Sequence, residues 1–245
     1  MEEELDPDAG WVASLAGVPP AVAERALERA ADERPLFRHL AREHRAEGRR
    51  SYIEIEAPLE LHALARLLRP QHVVEVGVSS GVSSAYLLAA LDGNGQGTLH
   101  SVDLPSRPRS SAQGRGGASW SLPKGRASGW AVPFDLRARW DLRLGDKARV
   151  LPLLARELPS VGLFVYDVPH DCSKSAREFR AMDPILPEGG VALVDHGPRG
   201  GPCPALRAWA VGRGSRPIPR AGLGLFGMRC ATPATRRRRA LRIPG

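Results

Sequence analysis

The sequence predicts an α/β fold in which helices cover both faces of a mostly parallel, doubly wound sheet. Three observations lead to this prediction. Short apolar runs alternate with helical patterns between residues 72 and 196, and strands that alternate with helices form parallel sheets. Glycines and carboxylates follow the apolar runs, at the edge where open α/β sheets bind ligands. The chain has 245 residues, of which 42% are hydrophobic, and this suffices for one sizeable core with extensions.

The first 50 residues predict a helical extension before the main domain. Residues 1 to about 12 are acidic and are expected to form a frayed tail. A helical pattern follows Pro19-Pro20, and a second helix is expected from Pro35 to Arg45. Its buried face is expected to carry Leu36, Phe37, Leu40 and Ala41. Three roles stay open for the extension: a cap over a ligand, an oligomer surface, or a packing layer.

A third helix, from Pro58 to Leu68, opens the main domain, which we expect to span residues 51 to 232. The leucines expected on its inner face are Leu59, Leu61, Leu64, Leu67 and Leu68. Residues 233 to 245 form a basic tail that contains Arg236 to Arg239. A run of like charges is typical of a solvated, disordered tail, with a nucleic-acid contact as the alternative.

The stretch from His72 to Leu88 is the centre of the predicted fold. Its first residues, His72 to Val76, are apolar and β-branched, as in a buried strand of a parallel sheet. A turn from Gly77 to Gly81 separates this strand from a helix, for which Ser83 or Ser84 is the expected cap. Glycines let a ligand approach the backbone, and the start of a helix offers free N–H groups. This order of elements therefore predicts a nucleotide-sized site.

The spacing in this turn excludes a dinucleotide fingerprint, which requires three glycines in the pattern G-x-G-x-x-G. After Gly77, the two remaining glycine positions hold Ser79 and Val82. The pattern that remains is Glu75-x-Gly77-x-x-x-Gly81. A cofactor site and a generic tight turn are both open for it.

A carboxylate ends the second predicted strand, which runs from Thr98 to Asp103. An acid at this position of an α/β unit can accept hydrogen bonds from both hydroxyls of a ribose. The alternative is an aspartate that only caps a turn. Because the glycine turn lies at the right distance upstream, we favour the ribose role.

Residues 105 to 130 interrupt the alternation of strands and helices. The segment is polar, basic and rich in glycine, and loops of this length are either functional or structureless insertions. As a mobile lid, it would present aromatic and cationic groups to a bound ligand. These groups are Trp120, Lys124, Arg126, Trp130 and, just after the segment, Trp140.

Three more strands are predicted, and each ends at polar residues. They run from Trp140 to Leu144 before Gly145-Asp146, from Val161 to Tyr166 before Asp167, and from Val191 to Val194 before Asp195-His196. The helix after Asp146 is expected to bury Val150, Leu151, Leu153, Leu154 and Leu158. Two late strands, at Ile218 and from Leu223 to Met228, are expected to form a hairpin and bring the sheet to seven strands.

The amino-acid composition limits the binding partners and the cellular compartment that we expect for the protein. The net charge is +8 and the pI about 10.2, which favours anionic partners such as nucleic acid. The alternative is an arginine-rich, solvated surface, since no nucleic-acid-binding motif accompanies the charge. No apolar run reaches the roughly 18 to 20 residues of a membrane span, and the acidic N-terminus does not resemble a signal peptide. The three cysteines, Cys172, Cys203 and Cys230, lack metal spacing, so a reducing, cytoplasmic location is expected.

These residues together resemble a known family. Between residues 50 and 230 the chain resembles class I S-adenosylmethionine (SAM)-dependent methyltransferases, in particular bacterial small-molecule O-methyltransferases with a layout similar to that of catechol O-methyltransferase. The most specific matches are Glu75 to Gly81, Gly145-Asp146 with Val150-Leu151-Pro152, and Leu186 to Asp195. The resemblance implies a Rossmann-like fold and SAM as cofactor.

The resemblance also implies site residues. Glu75, Gly77, Gly81 and Ser83 would hold the methionine end of SAM. Asp103 would bind the ribose, and Gly145 and Asp146 would flank the adenine. These positions match the family's motifs residue by residue.

A metal and a base are implied with two departures from the family pattern. Asp167, Asp195 and His196 would bind a divalent metal, and His170 would be the base. His196 replaces the family's Asn, and imidazole prefers softer ions than Mg²⁺. His170 replaces its Lys, which is chemically reasonable because a neutral imidazole accepts protons near pH 7. In the metal-free alternative, Asp167 and Asp195 are polar groups around SAM.

The expected function is SAM-dependent methylation of a hydroxyl on a small-molecule acceptor. Two alternatives remain: an RNA methyltransferase that uses the basic segments, and a non-catalytic SAM-binding regulatory protein. No membrane partner is expected. The sequence leaves the acceptor, the metal requirement and homo-oligomerisation open.

Overall fold

The computed structural model describes residues 6–46, 57–104, 122–123, 125–168, 172–195 and 201–231. Within them lie seven strands in one sheet. The strands are β1 (His72–Val76), β2 (Thr98–Asp103), β3 (Trp140–Leu144), β4 (Leu163–Tyr166), β5 (Val191–Asp195), β6 (Ile218–Pro219) and β7 (Leu225–Arg229). Their order across the sheet is β3-β2-β1-β4-β5-β7-β6. Strands β1 to β5 pair in parallel and β7 pairs antiparallel with β5 and β6, so the predicted doubly wound, mostly parallel sheet is confirmed.

Eight α-helices surround this sheet in the described residues. They are α1 (Ala9–Ala16), α2 (Pro20–Ala31), α3 (Arg34–Ala46), α4 (Pro58–Leu68), α5 (Val82–Asn94), α6 (Lys147–Glu157), α7 (Cys172–Met182) and α8 (Pro204–Gly212). Two short 3₁₀ helices span Phe134–Arg139 and Asp183–Ile185. None of the helices described is both long and apolar enough to cross a membrane.

The sheet separates two apolar cores because its central strands are buried on both faces. One core joins alternate residues of the strands, such as Val73 and Val165, to α1, α2, α4 and α5. The other joins Val74 and Phe164 to α6, α7 and α8. The chain is therefore a three-layer α/β/α structure, and the N-terminal helices belong to its first layer.

The expected frayed tail is wrong from Ala9 onward, where α1 begins. Asp8 caps this helix, because its Oδ1 accepts a hydrogen bond from the Trp11 N–H at 2.8 Å. The Trp11 indole is buried and donates to the Ile218 carbonyl at 3.0 Å. The acidic residues from Met1 to Asp8 suggested a tail, but a short helix follows them and is held in part by Ile218, 207 positions away in the sequence.

Two side chains expected inside are exposed: Phe37 at 57% and Leu153 at 50%. In α3 the buried stripe repeats every fourth residue and ends on a histidine; its members are Leu36, Leu40 and His44. In α6 the buried stripe is Leu151 and Leu154, with Leu158 just after the helix. The side chains of consecutive residues point about 100° apart on a helix. Phe37 and Leu153 each follow or precede a buried residue and therefore face solvent. In α4, Leu61 and Leu64 are fully buried, while the other three expected leucines are only partly buried.

Candidate functional site

Gly77 follows β1 directly and lies against the backbone of Asp167, which follows β4. Its N–H donates to the Val102 carbonyl at 2.9 Å, and the Asp167 N–H donates to the Val76 carbonyl at 2.8 Å. A Cβ atom at position 77 would lie 1.7 Å from the Asp167 carbonyl oxygen, and φ is +92°. The chain's own backbone therefore requires glycine here, whether or not a ligand approaches.

The rest of the turn uses two more left-handed residues. Ser79 has a φ of +47° and Gly81 a φ of +93°. Gly81 is the N-cap of α5, without a side-chain capping bond. The prediction that Ser83 or Ser84 caps this helix is wrong, because both lie inside α5. The start of α5 thus offers backbone N–H groups at the carboxyl edge of the sheet, where an anion would be stabilised.

The Glu75 carboxylate is fully buried among hydroxyl groups. Its Oε1 accepts a hydrogen bond from Ser83 at 2.6 Å, and its Oε2 accepts from Ser84 and Ser101, each at 2.6 Å. Ser101 lies opposite Glu75 on β2 and also accepts from the Trp140 indole at 2.8 Å. Both Glu75 and Ser83, expected at the methionine end of SAM, therefore have partners within the chain. We infer that they fix the start of α5.

Burial raises the pKa of Glu75 above its ordinary value, and the hydrogen bonds from Ser101, Ser83 and Ser84 oppose the rise. The nearby charge of Asp103 also raises this pKa. Among the described residues no cation forms an ion pair with Glu75. The site therefore contains a buried carboxylate whose partners are neutral.

Asp103 lies beside the glycine turn, at the end of β2. Its Oδ2 accepts from the Ser79 N–H at 3.1 Å, and its Oδ1 accepts from the Leu104 N–H at 2.9 Å. An ionised carboxylate has about four lone-pair sites, so these two bonds leave capacity for a ligand's hydroxyls. Asp103 is partly exposed, and a ligand at this edge could reach it.

Gly145 and Asp146 lie next to Asp103. The Gly145 N–H donates to the Asp103 carbonyl at 2.8 Å. The Asp146 side chain caps α6 through the Ala148 N–H at 2.9 Å. The structure thus brings together at one edge the residues expected at the methionine, ribose and adenine parts of the cofactor.

Asp167 and Asp195 follow directly on Tyr166 and Val194, which pair between β4 and β5. Neighbouring strands lie about 4.8 Å apart, so the two carboxylates start from adjacent positions and offer the oxygen ligands that hard divalent cations prefer. In the part of the chain that the structure describes, no group of three or more His, Cys, Asp or Glu could hold a metal. His196, the third expected ligand, and His170, the expected base, lie outside the described residues.

A feature that the sequence did not reveal is the contact between the glycine turn and residues 125–132, which we call the Trp130 segment. The Gly129 N–H donates to the Ser79 carbonyl at 2.8 Å, and the Ala131 N–H donates to the Ser80 carbonyl at 3.0 Å. Gly81 in turn lies so close that a Cβ would be 2.6 Å from Val132 Cγ2. This end of the predicted lid is packed on the turn, whereas Trp120 and Lys124 lie outside the described residues.

Helix α3 contacts the turn through His44 and the Trp130 segment through His39. His44 donates from Nδ1 to the Leu40 carbonyl at 2.8 Å, and its Nε2 is 3.0 Å from Ser80 Oγ. His39 Nε2 donates to the Ala131 carbonyl at 3.0 Å. The His44 ring lies 5.2 Å from the Trp130 ring, and Arg126 lies 4.9 Å over the same indole. The spacing of four residues from Leu36 to Leu40 and on to His44 was the sequence signal that could have identified this buried histidine.

Comparison with known proteins agrees with this geometry. Residues 74–196, half of the chain, match a family model described as a methyltransferase domain. No curated protein matches the chain.

Several solved structures share the fold. A putative O-methyltransferase from Klebsiella pneumoniae is 16% identical, with 80% of this chain and 89% of that chain covered and a TM-score of 0.54. The O-methyltransferase TomG from Streptomyces achromogenes, solved with SAM and involved in tomaymycin synthesis, is 19% identical, with 84% and 89% covered and a TM-score of 0.51. An O-methyltransferase from Bacillus cereus, solved with SAH, is 13% identical, with 80% and 90% covered and a TM-score of 0.52. The chain belongs to the methyltransferase-domain family, and its fold is the one that these O-methyltransferases share.

Proposed function

We propose that this methyltransferase transfers the methyl group of SAM to a hydroxyl of a small molecule. The observation that carries the proposal is the convergence of the glycine turn, Asp103 and Gly145-Asp146 at one edge, joined by the Ser79–Asp103 and Gly145–Asp103 hydrogen bonds. The O-methyltransferases that share the fold support it; two of them were solved with SAM or SAH, and one takes part in tomaymycin synthesis.

Each part of the cofactor has a proposed partner at this edge. The N–H groups at the start of α5 would receive the methionine carboxylate. Asp103 would accept hydrogen bonds from the ribose hydroxyls through its free lone pairs. Gly145 would lie against the adenine. Glu75 would act indirectly, through Ser83 and Ser84 on the helix that presents those N–H groups.

Bound SAM supplies a methyl group that is already activated on a sulfonium centre, so the protein must chiefly align and deprotonate the acceptor. We propose His170 as the residue that takes the acceptor's proton. Asp167 and Asp195 fit a divalent cation in donor chemistry and in their adjacent positions. With His196, they would hold such an ion beside the acceptor.

Substitution of Asp103 tests the cofactor site. Asp103→Asn keeps one acceptor for the Ser79 N–H but removes the charge that would bind the ribose. Because hydrogen bonds to charged groups are worth about 1.5–3 kcal/mol, SAM affinity measured by calorimetry should fall by about tenfold to a hundredfold. Gly77→Val would be a poorer test, since its side chain would collide with the Asp167 backbone and displace β4.

The matched control is Asp135→Asn, which removes a carboxylate from an exposed position of the first 3₁₀ helix. It should leave SAM affinity unchanged. Equal affinity in the two variants would refute the ribose assignment.

The nature of the methyl acceptor is tested by a mass-spectrometric screen for the mass gain of a methyl group across phenolic, sugar and RNA acceptors. Methylation of RNA alone would contradict a small-molecule acceptor.

A further inference from the structure

A cleft between α2 and α4 brings four arginines together. It has a volume of about 200 Å³. Its lining consists of Val22, Arg25, Ala26, Arg29, Arg66, Leu67 and Arg69. We propose that this cleft binds the phosphate group of a small phosphorylated molecule, at a site separate from the cofactor edge.

The charged side chains that line the cleft in the described part of the chain are all arginines. Among the described residues, no carboxylate lines it and none of its four arginines forms an ion pair. Arg25 and Arg29 lie one turn apart on α2, a spacing at which like charges repel. A bound anion would relieve this repulsion, and the planar fork of a guanidinium matches phosphate oxygens.

The two arginines contributed by α4 and its C-cap are held in place by their surroundings. Arg69 donates from Nη2 to the Asn94 carbonyl at 3.0 Å. Arg66 lies against Gly93, and its Nη1 is buried and has no hydrogen-bond partner among the residues that the structure describes. His62 adds no charge at neutral pH, because burial and the charge of Arg66 lower its pKa to about 4. Part of the cationic wall is therefore preorganised.

The size and place of the cleft define the ligand class. Pockets for drug-sized ligands measure about 300–1,000 Å³, so this smaller cleft suits a phosphate group and the first atoms of its ester. Val22, Ala26 and Leu67 give those atoms an apolar surface. Arg69 precedes the start of β1, and the glycine turn follows its end. A five-residue strand is about 16 Å long, so the cleft does not overlap the cofactor edge.

Calorimetry with inorganic phosphate, pyrophosphate and a nucleoside monophosphate, against chloride at matched ionic strength, tests the proposal. The double variant Arg25→Gln/Arg29→Gln should bind these probes at least about tenfold more weakly than the wild type, a loss of about 1.4 kcal/mol. The matched control is Arg156→Gln/Arg180→Gln, which removes the same charge from exposed positions on α6 and α7. The affinity of this control for the phosphate probes should stay within about twofold of that of the wild type.

Three results would overturn the proposal. One is absence of binding of every phosphate probe to the wild-type protein. A second is an equal loss in both double variants, which would show only a response to net charge. The third is retention of an RNA oligonucleotide, sensitive to Arg25→Gln/Arg29→Gln, without binding of any small probe; this would make the cleft a nucleic-acid surface. SAM affinity is measured in parallel and should be the same in all three proteins, so this test does not depend on the proposed function.

Discussion

The carboxylate of Glu75 is fully buried on the inner strand β1, and its partners among the described residues are neutral hydroxyls. In a low-dielectric interior such a charge is costly unless it is well hydrogen-bonded. Three short hydroxyl bonds reduce the cost, but burial still raises the pKa of Glu75. Because the folded state holds this proton more tightly than the unfolded chain, stability contributed by protonated Glu75 is present at low pH and is lost as pH rises from about 4.5 through the folded-state value.

Glu75→Gln should remove this pH dependence while keeping the geometry. Its amide oxygen can accept from Ser84 and Ser101, and its NH₂ group can donate to Ser83. The free energy of unfolding of the wild type, minus that of the variant, should therefore fall as pH rises above about 4.5. Urea denaturation across the pH range measures the difference. A Glu28→Gln variant, altered on the exposed face of α2, is the control, and a flat difference for Glu75→Gln would show that Glu75 titrates normally.

At the scale of elements, α3 joins the N-terminal extension to the cofactor edge. Three roles were open for the extension from sequence, and the contacts of His39 and His44 favour a packing layer that reaches the glycine turn. The Trp130 segment is hydrogen-bonded both to α3 and to that turn, and α3 is also bonded to the turn directly through His44 and Ser80. A change in α3 should therefore alter the place where SAM is proposed to bind.

His44→Ala tests this connection. The variant loses the hydrogen bond to Ser80 and the ring contact with Trp130. Since a typical hydrogen bond contributes about 0.5–1.5 kcal/mol, SAM affinity measured by calorimetry should fall by about two- to tenfold, with the far-UV circular dichroism unchanged. Phe37→Ala removes a larger, exposed side chain from the same helix and should have no effect. Equal affinities in the two variants would show that α3 does not position the turn.

At the scale of the whole molecule, the sequence predicted what is encoded locally. Strands β1 to β5 and the helices between them follow from periodicity and turn residues within short windows, and the carboxyl-edge site follows from their order. Contacts between distant segments have no such signal. Arg220 and Glu60, 160 positions apart, form a buried ion pair at 2.9 Å. The local sequence around neither residue predicts this pair. The serine partners of Glu75 were hidden for the same reason, since Ser101 meets it only when β1 and β2 pair.

The Arg220–Glu60 pair joins α4 to the β6–β7 hairpin, and both of its side chains also bond to the N-terminal segment. Arg220 also donates to the Asp6 and Ala221 carbonyls, and the Asp8 N–H donates to Glu60 at 3.3 Å. Both side chains are buried, so removing one partner leaves an uncompensated charge, which typically costs about 3–5 kcal/mol. Arg220→Met should therefore lower the free energy of unfolding by about that amount, measured by urea denaturation.

The double variant Glu60→Met/Arg220→Met distinguishes a buried charge from lost packing. If the uncompensated carboxylate causes the loss, removing it as well should restore part of the stability, because well-packed apolar residues often replace a buried pair at little cost. Asp92→Asn, which breaks the exposed Asp92–Arg139 pair at 3.7 Å, should cost less than about 1 kcal/mol. If Arg220→Met lowers the free energy of unfolding no more than Asp92→Asn does, the Arg220–Glu60 pair does not stabilise the packing of the N-terminal segment on the β6–β7 hairpin. A double variant less stable than Arg220→Met would instead assign the loss to packing and to the carbonyl bonds of Arg220.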